Sequence, residues 1–345
     1  MKRLGLVLSG GGAYGAFQAG VIDVLYQHGI TFKMIAGTSI GALNGVLASS
    51  GNSEELKNLW TRMPKTLERQ LMLAKPQWRA CLEVFESIEG DAKRYVEDQA
   101  RATWNPFERY RISKNRVSIG RRFALRKLNE KIRQMEEAGP IIPISAIDIL
   151  RESLDRVRSK AKVLVTLTDR DRIEGRHLIQ MQGGNFEVVN NGLYQEVDRQ
   201  SQVDLAIASM AIPLLVGARN EVNRTKYLDG GLTDNLPIAA LSDQVRTGNL
   251  QGIVVIDVSS NAQYLAENFR KELSEGVYFY IGLSRNSRLD ALLNFDRAKS
   301  LFEKGQSAGR DAIKQWFSYE DQLLVDEWNN SQAVLPKDFV IRRSA

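Results

Sequence analysis

The chain has 345 residues, 43% hydrophobic and 26% charged, with 27 glycines, 8 prolines and a formal net charge of +6. That is enough for one large domain, or one domain carrying an insertion. Cys81 is the single cysteine, which excludes an internal disulfide framework and a thiolate metal cluster. No uninterrupted apolar run reaches the ~20 residues of a membrane-spanning helix. The apolar start meets Gly10 too soon for a signal-peptide core, so the sequence reads as that of a cytoplasmic protein.

Taken in order, the first 50 residues alternate strand and helix: strand at 3–9, helix at 15–28 closed by Gly29, strand at 32–36, helix at 40–49. Gly41, Ala42, Gly45 and Ala48 keep one face of the second helix small enough to lie close against a sheet. Such alternation predicts a mostly parallel sheet with helices on both faces. From about 53 to 140 the strand pattern gives way to helical spacing. Trp78, Leu82 and Phe85 carry it in one stretch; Leu125, Leu128, Ile132 and Met135 carry it in another, stopped by Gly139-Pro140. We read a single domain over 1–345. Its core is 3–52 and 141–260, its helical cap 53–140, and its C-terminal helical extension 261–345. Strands are expected at 161–168, 177–182, 186–189, 214–216, 226–228, 252–258 and 339–342, and helices at 203–210 and 289–317.

Two glycine-rich segments follow the first two strands. Gly37-Thr38-Ser39-Ile40-Gly41 fits G-x-S-x-G between a strand and a helix, the context of a nucleophile elbow, in which a tight turn presents a serine hydroxyl beside a helix N-terminus. Gly10-Gly11-Gly12-Ala13-Tyr14-Gly15 opens the first helix and also fits G-x-G-x-x-G. A dinucleotide site would need an acidic residue at the end of the second strand, where Ser39 stands instead. For an acyl hydrolase the same glycines expose backbone N–H groups at a helix N-terminus, where Gly10, Gly11 and Gly12 would stabilise an oxyanion.

The usual base for a serine is histidine. The chain has only His28 and His177, one at a helix end and one in a strand or loop, and neither lies in a stretch built to serve Ser39. The best alternative is Asp229, delivered by a strand and followed by Gly230 and Gly231; Asp169, Asp171 and Asp257 also end strands and compete.

These pieces together resemble the patatin-like phospholipases. The likeness rests on Gly10–Gly15, on Gly37–Gly41 and on Asp229-Gly230-Gly231. It also rests on Ala208-Ser209-Met210-Ala211-Ile212-Pro213 and on Asp234-Asn235-Leu236-Pro237. The order and spacing match over about 3–260, apart from the cap. The resemblance implies a three-layer α/β/α fold and a Ser39–Asp229 dyad that needs no histidine, metal or cofactor. Gly15, Gly37, Gly41, Gly230 and Gly231 would support it. It implies hydrolysis of membrane-lipid carboxylic esters, of phospholipase A or lysophospholipase type, through an acyl-enzyme. Tyr14 stands where family members often have Arg or Lys, and Ser9 where plant patatins have Asp. The competing reading is a gated or silent member that senses a lipid or nucleotide.

Between Lys57 and Arg133 there are 19 Lys/Arg against 9 Asp/Glu, interleaved with Trp78, Phe85, Trp104, Phe107, Tyr110 and Phe123. A basic, aromatic, helical segment suits peripheral contact with an anionic membrane or a helical lid packed on the core. No nucleic-acid module accompanies Gly120-Arg121-Arg122, which disfavours a nucleic-acid partner.

Overall fold

The computed structural model describes residues 3–61, 75–103, 105, 109–112, 120, 123, 126–127, 130, 144–169, 181–182, 185–186, 194–197, 201–211, 221–222, 225–259, 277–283 and 294–329. Its strands are β1 (Leu4–Leu8), β2 (Phe32–Thr38), β3 (Lys162–Asp169), β4 (Met181–Gln182), β5 (Asn185–Phe186), β6 (Tyr194–Val197), β7 (Glu221–Val222), β8 (Thr225–Asp229), β9 (Gly252–Asp257) and β10 (Val277–Gly282). Its helices are α1 (Gly15–Gln27), α2 (Ile40–Ala48), α3 (Glu54–Thr61), α4 (Lys75–Ala102), α5 (Ile144–Asp155), α6 (Gln202–Ser209), α7 (Ala239–Arg246) and α8 (Ala298–Asn329).

The central sheet runs β10-β9-β1-β2-β3-β8-β7, with β6 also paired to β3. The block from β10 to β3 is parallel, and β6, β7 and β8 join antiparallel. Successive side chains of a strand point to opposite faces, and the core divides accordingly. Leu6, Leu8, Ile35, Val163, Val165, Val254 and Ile256 face one apolar cluster shared with α1, α2, α5, α6 and α8. Val7, Ala36, Ile253 and Val255 face a second, closed by Leu236, Ile238 and Leu241 from the α7 side. The result is the expected three-layer α/β/α arrangement. Because both faces are covered, β1 and β9 are buried throughout, β1 apolar along its whole length and β9 apolar up to its terminal Asp257.

Several elements go beyond the sequence reading. β10 extends the parallel sheet past residue 260 by pairing with β9, and α8 packs its Phe302, Ile313 and Trp316 into the core. The C-terminal part of the chain therefore contributes to the sheet as well as a helix. α5, α7 and β6 are also elements that the periodicity does not single out. Within the predicted cap, α3 and α4 are helical as expected. The strands expected at 214–216 and 339–342, the side chains of Trp78, Phe85 and Cys81, and residues Trp104, Phe107, Arg121, Arg122, Asp171 and His177 lie outside the described residues.

One buried carboxylate ties the helical layer together. Asp23 on α1 is fully buried and receives Lys57 Nζ (2.8 Å), Ser53 Oγ (2.6 Å), Gln27 Nε2 (2.9 Å) and Gln306 Nε2 (2.8 Å). These bonds hold its charged form: burial alone would raise its pKa, yet the net shift is downward.

Candidate active site

Ser39 follows β2 directly and precedes α2. Its backbone has φ 54° and ψ −125°, and it is the only non-glycine residue with positive φ among those described. An L-residue persists there only when its surroundings hold it. The flanking glycines permit the bend. A Cβ on Gly37 would collide with the Gly41 carbonyl, and one on Gly41 would sit 2.5 Å from the Leu8 carbonyl. The elbow is thus wedged between β1 and its own helix, a close approach no larger residue allows.

Strand register brings the second group in. Thr38 pairs with Thr166 across β2–β3, and Leu167 pairs with Asp229 across β3–β8. Adjacent rungs of β3 therefore align the ends of β2 and β8. Ser39 Oγ donates to Asp229 Oδ2 at 2.6 Å. The other carboxylate oxygen, Oδ1, accepts the Gly231 N–H at 2.7 Å, and the Asp229 carbonyl accepts the Thr168 hydroxyl at 2.9 Å. Both Ser39 and Asp229 are 7% exposed. Burial pushes the Asp229 carboxyl up to about 6, while the bonds from Ser39 and Gly231 pull it down.

Geometry separates the competing aspartates. Asp257 is fully buried and bonded to Tyr280 Oη (2.6 Å) and the Ser259 N–H (2.7 Å), and Asp169 pairs in register with Tyr227 at the end of β3. His28 caps α1, with Nδ1 2.8 Å from the Val24 carbonyl.

The glycine loop lies beside the elbow: a Cβ on Gly10 would approach Ser39 Cβ to 3.2 Å. Here the structure modifies the expectation for Gly10. Its N–H is already given to the Asn235 carbonyl at 3.0 Å, so it anchors the loop and is not free as an oxyanion donor. Gly11 leads into a short 3-10 turn at Gly12–Tyr14, and Gly12 takes a positive φ of 55°, which a side chain would strain. Gly15 begins α1 and gives its carbonyl to Asn44 Nδ2 (2.9 Å). Gly230 and Gly231 open the 3-10 turn after β8.

Residues outside the motifs hold this loop. Gln18 Nε2 donates to the Ser9 carbonyl (2.8 Å), Asn44 Nδ2 to Gln18 Oε1 (3.0 Å), and Trp60 Nε1 to Asn44 Oδ1 (2.8 Å). Polar residues on the buried faces of helices are the only sequence signal for Gln18 and Asn44. Among the described residues no group of three or more His, Cys, Asp or Glu could hold a metal. No helix among them is long and apolar enough to cross a membrane.

A family model described as patatin-like phospholipase matches residues 6–242. The chain belongs to the patatin-like phospholipase family. Similar proteins include Lysophospholipase nte1 of Aspergillus terreus, 56% identical over 46 residues (13% of this chain, 3% of that protein). Lysophospholipase NTE1 of Scheffersomyces stipitis is 35% identical over 106 residues (31% of this chain, 6% of that protein). The matched stretches are thus a small part of these much longer relatives. Among solved structures, VipD from Legionella pneumophila aligns over 90% of this chain and 67% of its own, with 14% identity and a TM-score of 0.37. At that identity and score the likeness says nothing about substrate.

Proposed function

We propose that the chain hydrolyses carboxylic esters of membrane lipids, as a phospholipase A or lysophospholipase, with Ser39 as nucleophile and Asp229 as its base. The observation that carries this reading is the 2.6 Å bond between Ser39 Oγ and Asp229 Oδ2 at a positive-φ elbow. Family membership and the short matches to lysophospholipases support a lipid substrate.

Chemically, Asp229 accepts the Ser39 proton as Oγ attacks the ester carbonyl, forming a tetrahedral oxyanion. The N–H groups of Gly11 and Gly12, at the N-terminal end of α1, receive that charge. Collapse expels the alcohol, a lysolipid or glycerol derivative, which takes the proton from Asp229. Water, deprotonated by Asp229, then attacks the acyl-enzyme, and the fatty acid leaves as Ser39 recovers its proton. Raising the aspartate pKa to about 6 makes it a stronger base than a free carboxylate while leaving it ionised near neutrality.

Peripheral membrane contact through the basic segment 57–133 belongs to the same proposal. Tyr95 and Tyr110 are 38% and 65% exposed, and each sits beside exposed cations, Lys93 and Arg94 for the first, Arg109 and Arg111 for the second. Aromatic rings at the headgroup boundary flanked by cations fit an anionic interface.

The test is fatty-acid release from mixed phospholipid vesicles by the wild type, Ser39→Ala and Asp229→Ala. Release by the wild type with both variants near background supports the dyad; equal release by all three refutes it.

A further inference from the structure

The segment Ala208-Ser209-Met210-Ala211 performs none of the steps above, yet it is bonded to both reacting residues. Ser209 is the last residue of α6 and is fully buried. Its Oγ accepts the Ser39 N–H at 2.9 Å and donates to the Thr166 carbonyl at 2.7 Å. A hydroxyl has one proton and two lone pairs, so these two bonds are compatible and orient the side chain fully. Two residues on, the Ala211 carbonyl accepts the Asp229 N–H at 2.9 Å. One helix end therefore grips the nucleophile through its backbone nitrogen and the base through its backbone nitrogen. It does so against β3, the strand whose adjacent rungs already align β2 and β8.

From this geometry we propose that Ser209 is a positioning residue. It holds the Ser39 backbone in its strained bend and so sets the separation between Ser39 Oγ and Asp229. The proposal rests on the dyad reading above. The physical need is specific. At φ 54° the serine persists only while its surroundings hold it there, and among the described residues no backbone carbonyl accepts its N–H. Ser39 instead receives its restraint from a side chain 170 residues away. The same bond occupies the Ser39 N–H, so that group is not an oxyanion donor, leaving the task to the glycine loop.

The experiment compares wild type, Ser209→Ala, Ser209→Cys and Ser39→Ala on a medium-chain 4-nitrophenyl ester. For the wild type and the two Ser209 variants, rates are divided by the number of sites that a fluorophosphonate labels at completion, so that misfolded protein is not counted. Ser39→Ala, which has no serine oxygen to label, is compared per mole of monodisperse protein with a wild-type circular-dichroism spectrum. A misplacement of up to about an ångström in the attacking oxygen lowers kcat on the order of 10- to 100-fold. Ser209→Ala is expected to show that loss with KM nearly unchanged. Its acidic pH limb should also move upward, because a longer Ser39–Asp229 bond stabilises the carboxylate less. Ser209→Cys, close in volume but a weaker acceptor, should fall between Ala and wild type, and it carries the comparison if the alanine variant is not recovered folded. A per-site kcat within about twofold of wild type, with an unmoved pH limb, would overturn the proposal while an inactive Ser39→Ala left the dyad standing. Full activity of Ser39→Ala would instead refute the dyad itself.

Discussion

Ser39 Oγ and Asp229 Oδ2 lie 2.6 Å apart although 190 positions separate them in the chain. The pair is buried, and the carboxylate keeps one oxygen for the serine because the other is held by the Gly231 N–H. Most of what this site can do follows from that division of the two oxygens.

The pH–rate profile follows from the burial of Asp229. Only the ionised carboxylate accepts the Ser39 proton, and its pKa is pushed up to about 6. Log kcat/KM is expected to rise with a slope near one below that pH and to level above it. Hydrolysis of a soluble ester between pH 4.5 and 9 checks this; a flat profile from about pH 5 to 9 contradicts Asp229 as base.

The same shift has a cost in stability. The free carboxyl titrates at 3.8 and the folded one at about 6. Between those values the folded state binds more protons than the unfolded state, so stability falls as pH rises through that window. At about 1.4 kcal/mol per pH unit the loss approaches about 3 kcal/mol. Asp229→Asn has no charge to bury. Urea unfolding should show the variant's stability relative to wild type growing from pH 4 to about 6 and then levelling, while hydrolysis is lost. A constant difference across that range is the outcome that would count against the shift.

The elbow stores a second cost. Ser39 at φ 54° and ψ −125° is expected to carry about 1–3 kcal/mol of backbone strain, which glycine does not feel. Ser39→Gly and Ser39→Ala should both be inactive, with the glycine variant more stable by about 1 kcal/mol in denaturant unfolding. Equal stability would mean that the bend is not strained.

Membrane contact can be tested apart from chemistry. Replacing Arg109 and Arg111 by Gln is expected to weaken binding to phosphatidylserine-containing vesicles by roughly fivefold per charge, read by co-sedimentation at low and high salt. Hydrolysis of a soluble ester should not change. Unaltered vesicle binding would assign the basic segment to a lid or solvated cap.

How far the site was legible depends on how local each feature is. The elbow occupies Gly37–Gly41, and its glycines announce a turn whose geometry is set within those positions. The alternation of β1, α1, β2 and α2 was equally readable, because each element's hydrophobic spacing covers a whole strand or helix. β6 is a four-residue strand, too short for a period to emerge. β10 has aromatic and β-branched residues but follows a stretch, 262–276, whose pattern indicates nothing. α5 and α7 fell between elements with stronger signals.

The sequence by itself determined the layered α/β architecture and the tight turn that carries Ser39, since both rest on interactions between neighbours in the chain. The tertiary structure alone decided which of several strand-end aspartates meets Ser39, because that depends on the register of β3 against β2 and β8. It also decided that Gly10 spends its N–H on Asn235 and that Ser209 restrains the elbow. A hydrogen bond has only so many donors and acceptors to share, and their allocation becomes visible only once distant segments are packed together.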